Sequence, residues 1–177
     1  MTTAQFFATH PVFSLDEAVE ALRPPGGRRG TLERLKHHVS TGRLRLVARE
    51  VYAVVPPEAD ASSFQPDAML VVAAARADSI VAYHAALELL GEAHSVFSEV
   101  AAFTASRRRP LKVGSRTVRF LDDPGPLSGS TSRELGTQRV DRRGRLVRCT
   151  GPERTLVEGF RRPGRAGGAE ELVASAS

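Results

Sequence analysis

The chain contains little cysteine and few aromatic residues. Cys149 is the single cysteine among 177 residues, which excludes a disulfide framework and a cysteine-based zinc site within one chain. Tryptophan is absent and there are two tyrosines. Because 41% of the residues are hydrophobic, a core can still form, built mainly from Leu, Val, Ala and Phe. A lone cysteine fits a reducing cytoplasm.

Long apolar runs are also missing. The longest, residues 68–75, is far too short to cross a bilayer. The N-terminus does not have the basic-then-apolar pattern of a signal peptide. We therefore expect a cytoplasmic protein with no membrane partner.

The common catalytic signatures are absent as well. The pairs Gly26-Gly27 and Gly167-Gly168 are not followed by the Gly-Lys-Ser/Thr of a phosphate-binding loop, and no Gly-x-Ser-x-Gly sequence occurs. The adjacent acidic pairs before the C-terminal tail are Asp16-Glu17 and Asp122-Asp123, whereas metal-dependent nucleases need larger clusters of carboxylates. We predict that the protein is not an enzyme and needs no cofactor or metal. A nuclease or phosphotransfer enzyme is the competing interpretation.

Positive charge is abundant and unevenly distributed. The formal net charge is +5, which favours an anionic partner. Residues 21–50 contain only two acidic side chains, Glu33 and Glu50. The same residues carry eight basic side chains: Arg23, Arg28, Arg29, Arg34, Lys36, Arg43, Arg45 and Arg49.

The N-terminal pattern predicts helices and a hairpin. Helices are expected at residues 2–10, at 15–22 with Ser14 as N-cap, and at 32–39 with Thr31 as N-cap. The break at residues 24–27 separates the last two. Strands at 43–47 and 51–55 then form a basic hairpin in which Leu44 and Leu46 face inward. This order is typical of a winged helix-turn-helix domain.

The rest of the chain predicts a mixed unit. Helices are expected at residues 67–76, 79–90, 152–162 and 169–176, and strands at 94–105, 112–121, 137–140 and 145–149. The fold class is therefore α+β: a winged helix-turn-helix domain at 1–57, a linker at 58–66 and a small mixed α/β domain at 67–177.

The division of polar and apolar residues predicts a duplex-DNA interface. A recognition helix needs one face for its own domain and one that offers donors to the major groove, and the helix at 32–39 has both. We expect Arg34, His37 and His38 to approach bases or phosphates, with Thr31 near phosphate. The hairpin contributes contacts to the backbone. The full predicted set is Arg28, Arg29, Thr31, Arg34, His37, His38, Thr41, Arg43, Arg45 and Arg49.

Four stretches along the chain form a recognisable series. The N-terminal stretch runs from Phe13-Ser14-Leu15 through Arg43-Leu44 to Val51-Tyr52-Ala53-Val54. The others are residues 79–87, the Pro-Glu-Arg-Thr-Leu sequence within 149–157, and residues 162–172. Together they resemble the AbiEi-family antitoxins, the regulators of AbiE-type abortive-infection toxin–antitoxin systems. The similarity covers nearly the whole chain, and the order of the motifs is its most specific feature.

The resemblance implies a DNA-binding autorepressor of a two-gene operon. Independently of the resemblance, if the second unit forms a homodimer, two recognition helices would read an inverted repeat in the operator. The partner gene would encode a nucleotidyltransferase-like toxin, counteracted without a stable complex. Two departures stand out: Arg49-Glu50 replaces the family's Arg-Gly in the wing, and the C-terminal helical extension of longer members is missing. The alternative is a protein-binding module that contacts a toxin or a second copy without specific DNA recognition.

Overall fold

The fold is mixed α+β, as the sequence predicts. The computed structural model describes residues 1–106, 108–129 and 131–175, and within these ranges it has seven α-helices, nine strands and two sheets. The expected helix at 169–176 is described as far as Ser175; its last residue lies outside the described residues.

The N-terminal part alternates short helices and strands around a three-stranded antiparallel sheet of order β1-β3-β2. Its elements are α1 (Thr3–Thr9), β1 (Val12–Ser14), α2 (Leu15–Leu22), α3 (Gly27–Ser40), β2 (Leu44–Ala48) and β3 (Val51–Val54). The sequence did not predict β1, because a three-residue strand shows no usable periodicity. Ser14 caps α2 as expected: its hydroxyl accepts from the Glu17 amide at 3.2 Å, and the Glu17 carboxylate accepts from the Ser14 amide at 2.7 Å.

Helix α3 begins five residues earlier than predicted. Its N-cap is Gly26, which has a left-handed φ of 90°. Thr31 therefore lies inside the helix, where its hydroxyl donates to the Gly27 carbonyl at 3.1 Å. A Cβ on Gly30 would lie 2.7 Å from the Pro25 carbonyl oxygen, so the close approach of the turn requires glycine there. The predicted helices leave residues 23–31 between them, whereas α2 and α3 are separated by residues 23–26 only.

The hairpin differs from the expected alternation at one position. Leu44 is buried, but Leu46 is 55% exposed, which corrects the prediction that both face inward. A β-bulge between Leu46 and Ala48 shifts the register, and Val47 packs against the main core instead. The turn consists of Arg49 and Glu50, and Glu50 has a φ of 58°. This is the left-handed conformation that glycine adopts most easily.

The second part is a six-stranded mixed sheet of order β6-β7-β5-β4-β9-β8, in which β5 pairs with β7 and β4 with β9 in parallel. Its strands are β4 (Ile80–Ala82), β5 (Glu99–Thr104), β6 (Leu111–Val113), β7 (Arg116–Asp122), β8 (Thr137–Arg142) and β9 (Arg145–Thr150). Its helices are α4 (Ala68–Ala75), α5 (His84–Leu90), α6 (Pro152–Arg161) and α7 (Ala169–Ser175).

Two predicted elements are wrong in this part. The helix expected at 79–90 is a central strand followed by a helix, because all three residues of β4 are buried and a fully buried strand shows no alternation. The strand expected at 112–121 is the β6–β7 hairpin, which turns at Gly114 with a φ of 58°. The strand expected at 94–105 is confined to β5.

The two parts share a hydrophobic core. Helix α4 is buried on almost every side, and the same cluster contains Val12, Val51 and Ala53 from the first sheet and Val81 from the second. The segment 58–66 contacts both parts near its C-terminal end: Arg45 donates to the Phe64 carbonyl, and the Gln65 side chain accepts from the Ser115 amide at 3.1 Å. The boundaries at 57 and 67 stay a sequence-based prediction, and the core crosses them.

Candidate nucleic-acid interface

The exposed side of α3 is basic. Arg29, Arg34, Lys36 and His37 are exposed, whereas Thr31 and Leu35 on the opposite side are buried. The buried side packs with Phe13, Leu44 and other apolar residues of the N-terminal core. The helix thus has the two-sided character that the sequence indicates.

Several cations of this surface are not neutralised. Within the described ranges, Arg29, Arg34, Arg43 and Arg49 have no carboxylate within salt-bridge distance. Lys36 pairs with Glu33 on the same helix, at 2.9 Å. The pKa of Glu33 is lowered by the Lys36 ammonium, with a smaller contribution from Arg29. Unpaired guanidinium groups on a surface attract an anionic partner.

Arg28 differs from its neighbours because it is paired. Its guanidinium bonds to Asp16 on α2 and to the Glu50 carboxylate at 2.7 Å. The hydrogen bonds that Arg28 donates to these two carboxylates, with that to Glu50 the larger contribution, raise the pKa of Arg28. This ion pair joins the first turn of α3 to the turn of the hairpin. It also neutralises the Glu50 carboxylate in that turn.

Two predicted contacts do not lie where the sequence suggests. Thr31 is 0% exposed, so its side chain cannot reach a phosphate on the surface. His38 is partly buried, with its ring edge against Phe7 at a centroid distance of 5.1 Å. Burial, together with the charges of Arg43 and His37, lowers the pKa of His38. His38 therefore belongs to the packed side of α3, because the 3.6-residue period brings it near Leu35 and Val39.

The residues after α3 divide into anchored and free groups. Thr41 caps the helix, and its hydroxyl donates to the His37 carbonyl at 3.1 Å. The Arg43 guanidinium lies 5.9 Å from the centre of the Phe7 ring. Arg45 is exposed, and one N–H of its guanidinium donates to the Phe64 carbonyl. For Arg49, at the turn, the described residues provide neither a hydrogen-bond acceptor nor an acidic partner.

Two further residues belong to this surface. Lys36 lies on the exposed side of α3, and the exposed Leu46 lies on the hairpin. Lys36 is one of the eight basic residues of 21–50. The helical periodicity alone would have placed it on the exposed side of α3. The exposure of Leu46 depends on the bulge, for which the sequence offers no clear signal.

No metal site is found among residues 1–106, 108–129 and 131–175. In these ranges, no group of three or more His, Cys, Asp or Glu side chains is arranged to hold an ion. Cys149 is buried, and burial raises the pKa of its thiol to about 11. Over the same described ranges, no helix has the length and apolar character needed to cross a membrane.

Comparison with known proteins finds similarity to solved structures, but not to family models or curated sequences. No family model and no curated protein matches the chain. The fold is similar to the crystal structure of the RV2827C protein from Mycobacterium tuberculosis, with a TM-score of 0.52 and 18% sequence identity. The match covers 96% of this chain and 62% of that one, so the chain spans about three fifths of the related structure. At this identity, the likeness shows a shared fold.

Proposed function

We propose that the protein is a cytoplasmic DNA-binding transcriptional regulator whose N-terminal part is a winged helix-turn-helix domain. The observation that carries the proposal is the basic surface of α3 and the β2–β3 turn, where Arg29, Arg34 and Arg49 are exposed and have no carboxylate partner among the described residues. Side chains of this kind bind phosphates and the acceptor edge of guanine.

The connectivity supports the same proposal. The order is helix, strand, helix, helix and hairpin, and the first strand pairs with the third, as in winged helix domains. The turn between α2 and α3 has four residues, 23–26, which is the length found in helix-turn-helix motifs. In this arrangement α3 is the recognition helix and the hairpin is the wing.

The contacts to DNA follow from these positions. Arg34 and His37, in the middle and last turns of α3, reach the base edges of the major groove. Arg29 near the start of the helix binds phosphate, where the helix dipole adds to the attraction. Arg49 at the turn, with Arg43 just before β2, binds the backbone. Arg28 fixes the position of the wing relative to α3 through its ion pair with Glu50. Its main contribution is therefore to the arrangement of the wing and the helix, and not to a direct contact with DNA.

The resemblance to AbiEi-family antitoxins supports a more specific role. In that role the protein represses its own two-gene operon and counteracts a nucleotidyltransferase-like toxin. A dimer would place two α3 helices on an inverted repeat, with half-site centres about 34–36 Å apart or a multiple of this.

The test is binding to DNA from the region upstream of the protein's own gene. Fluorescence anisotropy across a salt series compares this duplex with a scrambled duplex of the same length and composition. We expect a preference of about a thousandfold or more. Log affinity should fall by about 0.9 per log unit of salt for each phosphate contacted.

Other outcomes would contradict the proposal in distinct ways. Weak binding of equal strength to both duplexes would mean that the basic surface attracts DNA without sequence specificity. No binding at low salt, together with capture of a purified candidate toxin or formation of a stable dimer, would support the protein-binding module instead.

A further inference from the structure

A second surface feature lies far along the chain from the basic helix. A cavity of about 230 Å³ opens beside α6, and its lining includes Tyr83, Phe103, Glu158, Arg161 and Arg162. This volume is slightly below the range of about 300–1,000 Å³ that is usual for small-molecule sites. It suits a small ligand and excludes a peptide or a dinucleotide.

One acid in the lining of this cavity is buried and has no partner among the described residues. Glu158 is 5% exposed, and among the described residues no hydrogen-bond donor or cation within bonding distance contacts its carboxylate. Arg161 and Arg162 follow it on α6 at positions i+3 and i+4 and line the same cavity, yet neither pairs with it. A buried carboxylate without a donor is costly, so this oxygen pair is suited to accept from a ligand.

A second acceptor and a strained tyrosine lie in the same lining. Asp123 accepts from Arg133 through Oδ2 at 2.6 Å, while its Oδ1 is buried with no partner. Tyr83 has a φ of 58°, which is unfavourable for a residue with a side chain. Its ring packs on Phe103 at 5.5 Å between centroids. Burial, and then the charge of Glu158, raise the pKa of Tyr83, so its hydroxyl stays protonated at neutral pH.

The exposed part of the lining is mainly cationic, and it also includes the acid Asp122. Arg161 and Arg162 are exposed and have no carboxylate within salt-bridge distance among the described residues. Arg165 also lines the cavity, but its guanidinium is held by Glu99 at 2.8 Å. The cavity therefore offers acceptors within and free guanidinium groups outside, an arrangement that recognises a ligand with donors at one end and an anion at the other.

We infer that this cavity binds a pyrimidine nucleoside monophosphate whose base carries an amino group, with the amino group donating to Glu158 and the phosphate bound by Arg161 and Arg162. Cytosine presents an N–H donor where uracil presents an oxygen acceptor, and carboxylates accept from the cytosine amino group. The two nucleotides are nearly equal in size, so the carboxylate alone distinguishes them. This site is independent of the proposed DNA-binding function.

The experiment is isothermal titration calorimetry of the full chain with CMP, UMP, cytidine and inorganic phosphate. We expect CMP to bind at least about tenfold more tightly than UMP, because uracil would place an acceptor against Glu158 and leave both groups without a donor. Cytidine and phosphate alone should each bind more weakly than CMP.

Variants separate the two ends of the site. Glu158→Gln should bring the CMP-to-UMP ratio close to one, because the amide can donate to the uracil oxygen. Arg161→Ala with Arg162→Ala should weaken CMP and UMP by the same factor and leave the ratio unchanged. The control is Glu153→Gln, an exposed carboxylate on the same helix, which should change neither affinity nor ratio.

Thermal unfolding of each variant shows whether it folds. If Glu158→Gln unfolds below the assay temperature, the comparison of CMP with UMP on the unaltered chain still decides the proposal. Equal binding of CMP and UMP, binding of phosphate as tight as that of CMP, or no binding at millimolar CMP would overturn it.

Discussion

Arginine has different roles in the two parts of this molecule. On α3 and the hairpin turn, Arg29, Arg34 and Arg49 extend into solvent without a carboxylate partner among the described residues. In the second part, the buried Arg133 binds Asp123 at 2.6 Å, and the half-buried Arg142 binds Asp67, the N-cap of α4, at 2.7 Å. The same residue type thus stabilises one region and leaves the other attractive to an anion. Charge counts alone do not distinguish these roles.

The largest expected effect is on stability, from the second part. Arg133→Ala removes the partner of a buried carboxylate, Asp123, and also the donor to the Asp78 carbonyl at 2.9 Å. We expect a loss of about 3 kcal/mol in the free energy of unfolding, because an unpaired buried charge remains. Urea denaturation measures it. The control is Arg139→Ala, an exposed arginine on β8, for which a similar loss would contradict the comparison.

The next effect, of similar or smaller size, is on the affinity for DNA. Arg34→Ala should weaken specific binding by about 1–3 kcal/mol and change the preference among bases at one position, because alanine cannot make the bidentate hydrogen bonds to a base. The free energy of unfolding should change by less than about 0.5 kcal/mol, since the side chain is exposed. Anisotropy with single-base variants of the operator measures the first effect. Equal reductions in affinity for specific and scrambled DNA would mean that Arg34 binds only phosphate.

A smaller effect on DNA affinity is expected from the arginines of the β2–β3 hairpin. Arg43→Ala combined with Arg49→Ala should weaken binding to all sequences alike and reduce the salt slope by about 1.8, because each phosphate left without its arginine lowers the slope by about 0.9. Arg45→Ala is the matched comparison, because its guanidinium is already held by the Phe64 carbonyl. If Arg45→Ala lowers the slope as much as either replacement alone, that interaction does not keep Arg45 from the DNA.

The smallest effect is on the pH dependence of stability. Glu88 binds Arg116 at 2.5 Å and lies 3.3 Å from the His84 ring. Burial by itself raises the pKa of Glu88, but hydrogen bonds from His84 and Arg116 outweigh it, so the net pKa lies below the ordinary 4.5. The resulting stabilisation is present above pH 4.5 and is lost as the pH falls through the lowered pKa.

Glu88→Gln removes this titration. We expect its free energy of unfolding to fall less steeply than that of the unaltered chain as the pH drops below about 4.5. Urea denaturation between neutral and acidic pH measures the slopes. Parallel curves for the two proteins would mean that the pair with Arg116 contributes nothing to acid sensitivity.

The elements with strong local signals could be predicted from the sequence. Ser14 and its partner Glu17 mark the start of α2, and the β-branched residues of β3 mark a strand. Long-range effects could not be predicted in this way. The 80–82 strand is hidden in an apolar run, and the early start of α3 depends on the packing of Pro25 against Gly30.

The candidate interface was predictable in outline, because the basic residues of 21–50 are close in sequence. Which of them are free is a tertiary property. Arg28 meets Asp16 and Glu50, and His38 meets Phe7, only after the chain folds. The cavity beside α6 combines residues from β5, β7, α6 and the turn that follows β4, and no local pattern connects them.

The most direct measurement is arginine footprinting with phenylglyoxal, read by mass spectrometry with and without the operator duplex. If the two regions differ as described, DNA should protect Arg29, Arg34 and Arg49 from modification. Exposed arginines of the second part, for example Arg108, Arg109 and Arg139, should stay reactive. Protection of the second group with full reactivity of the first would contradict the account, because the DNA would then lie on the second sheet.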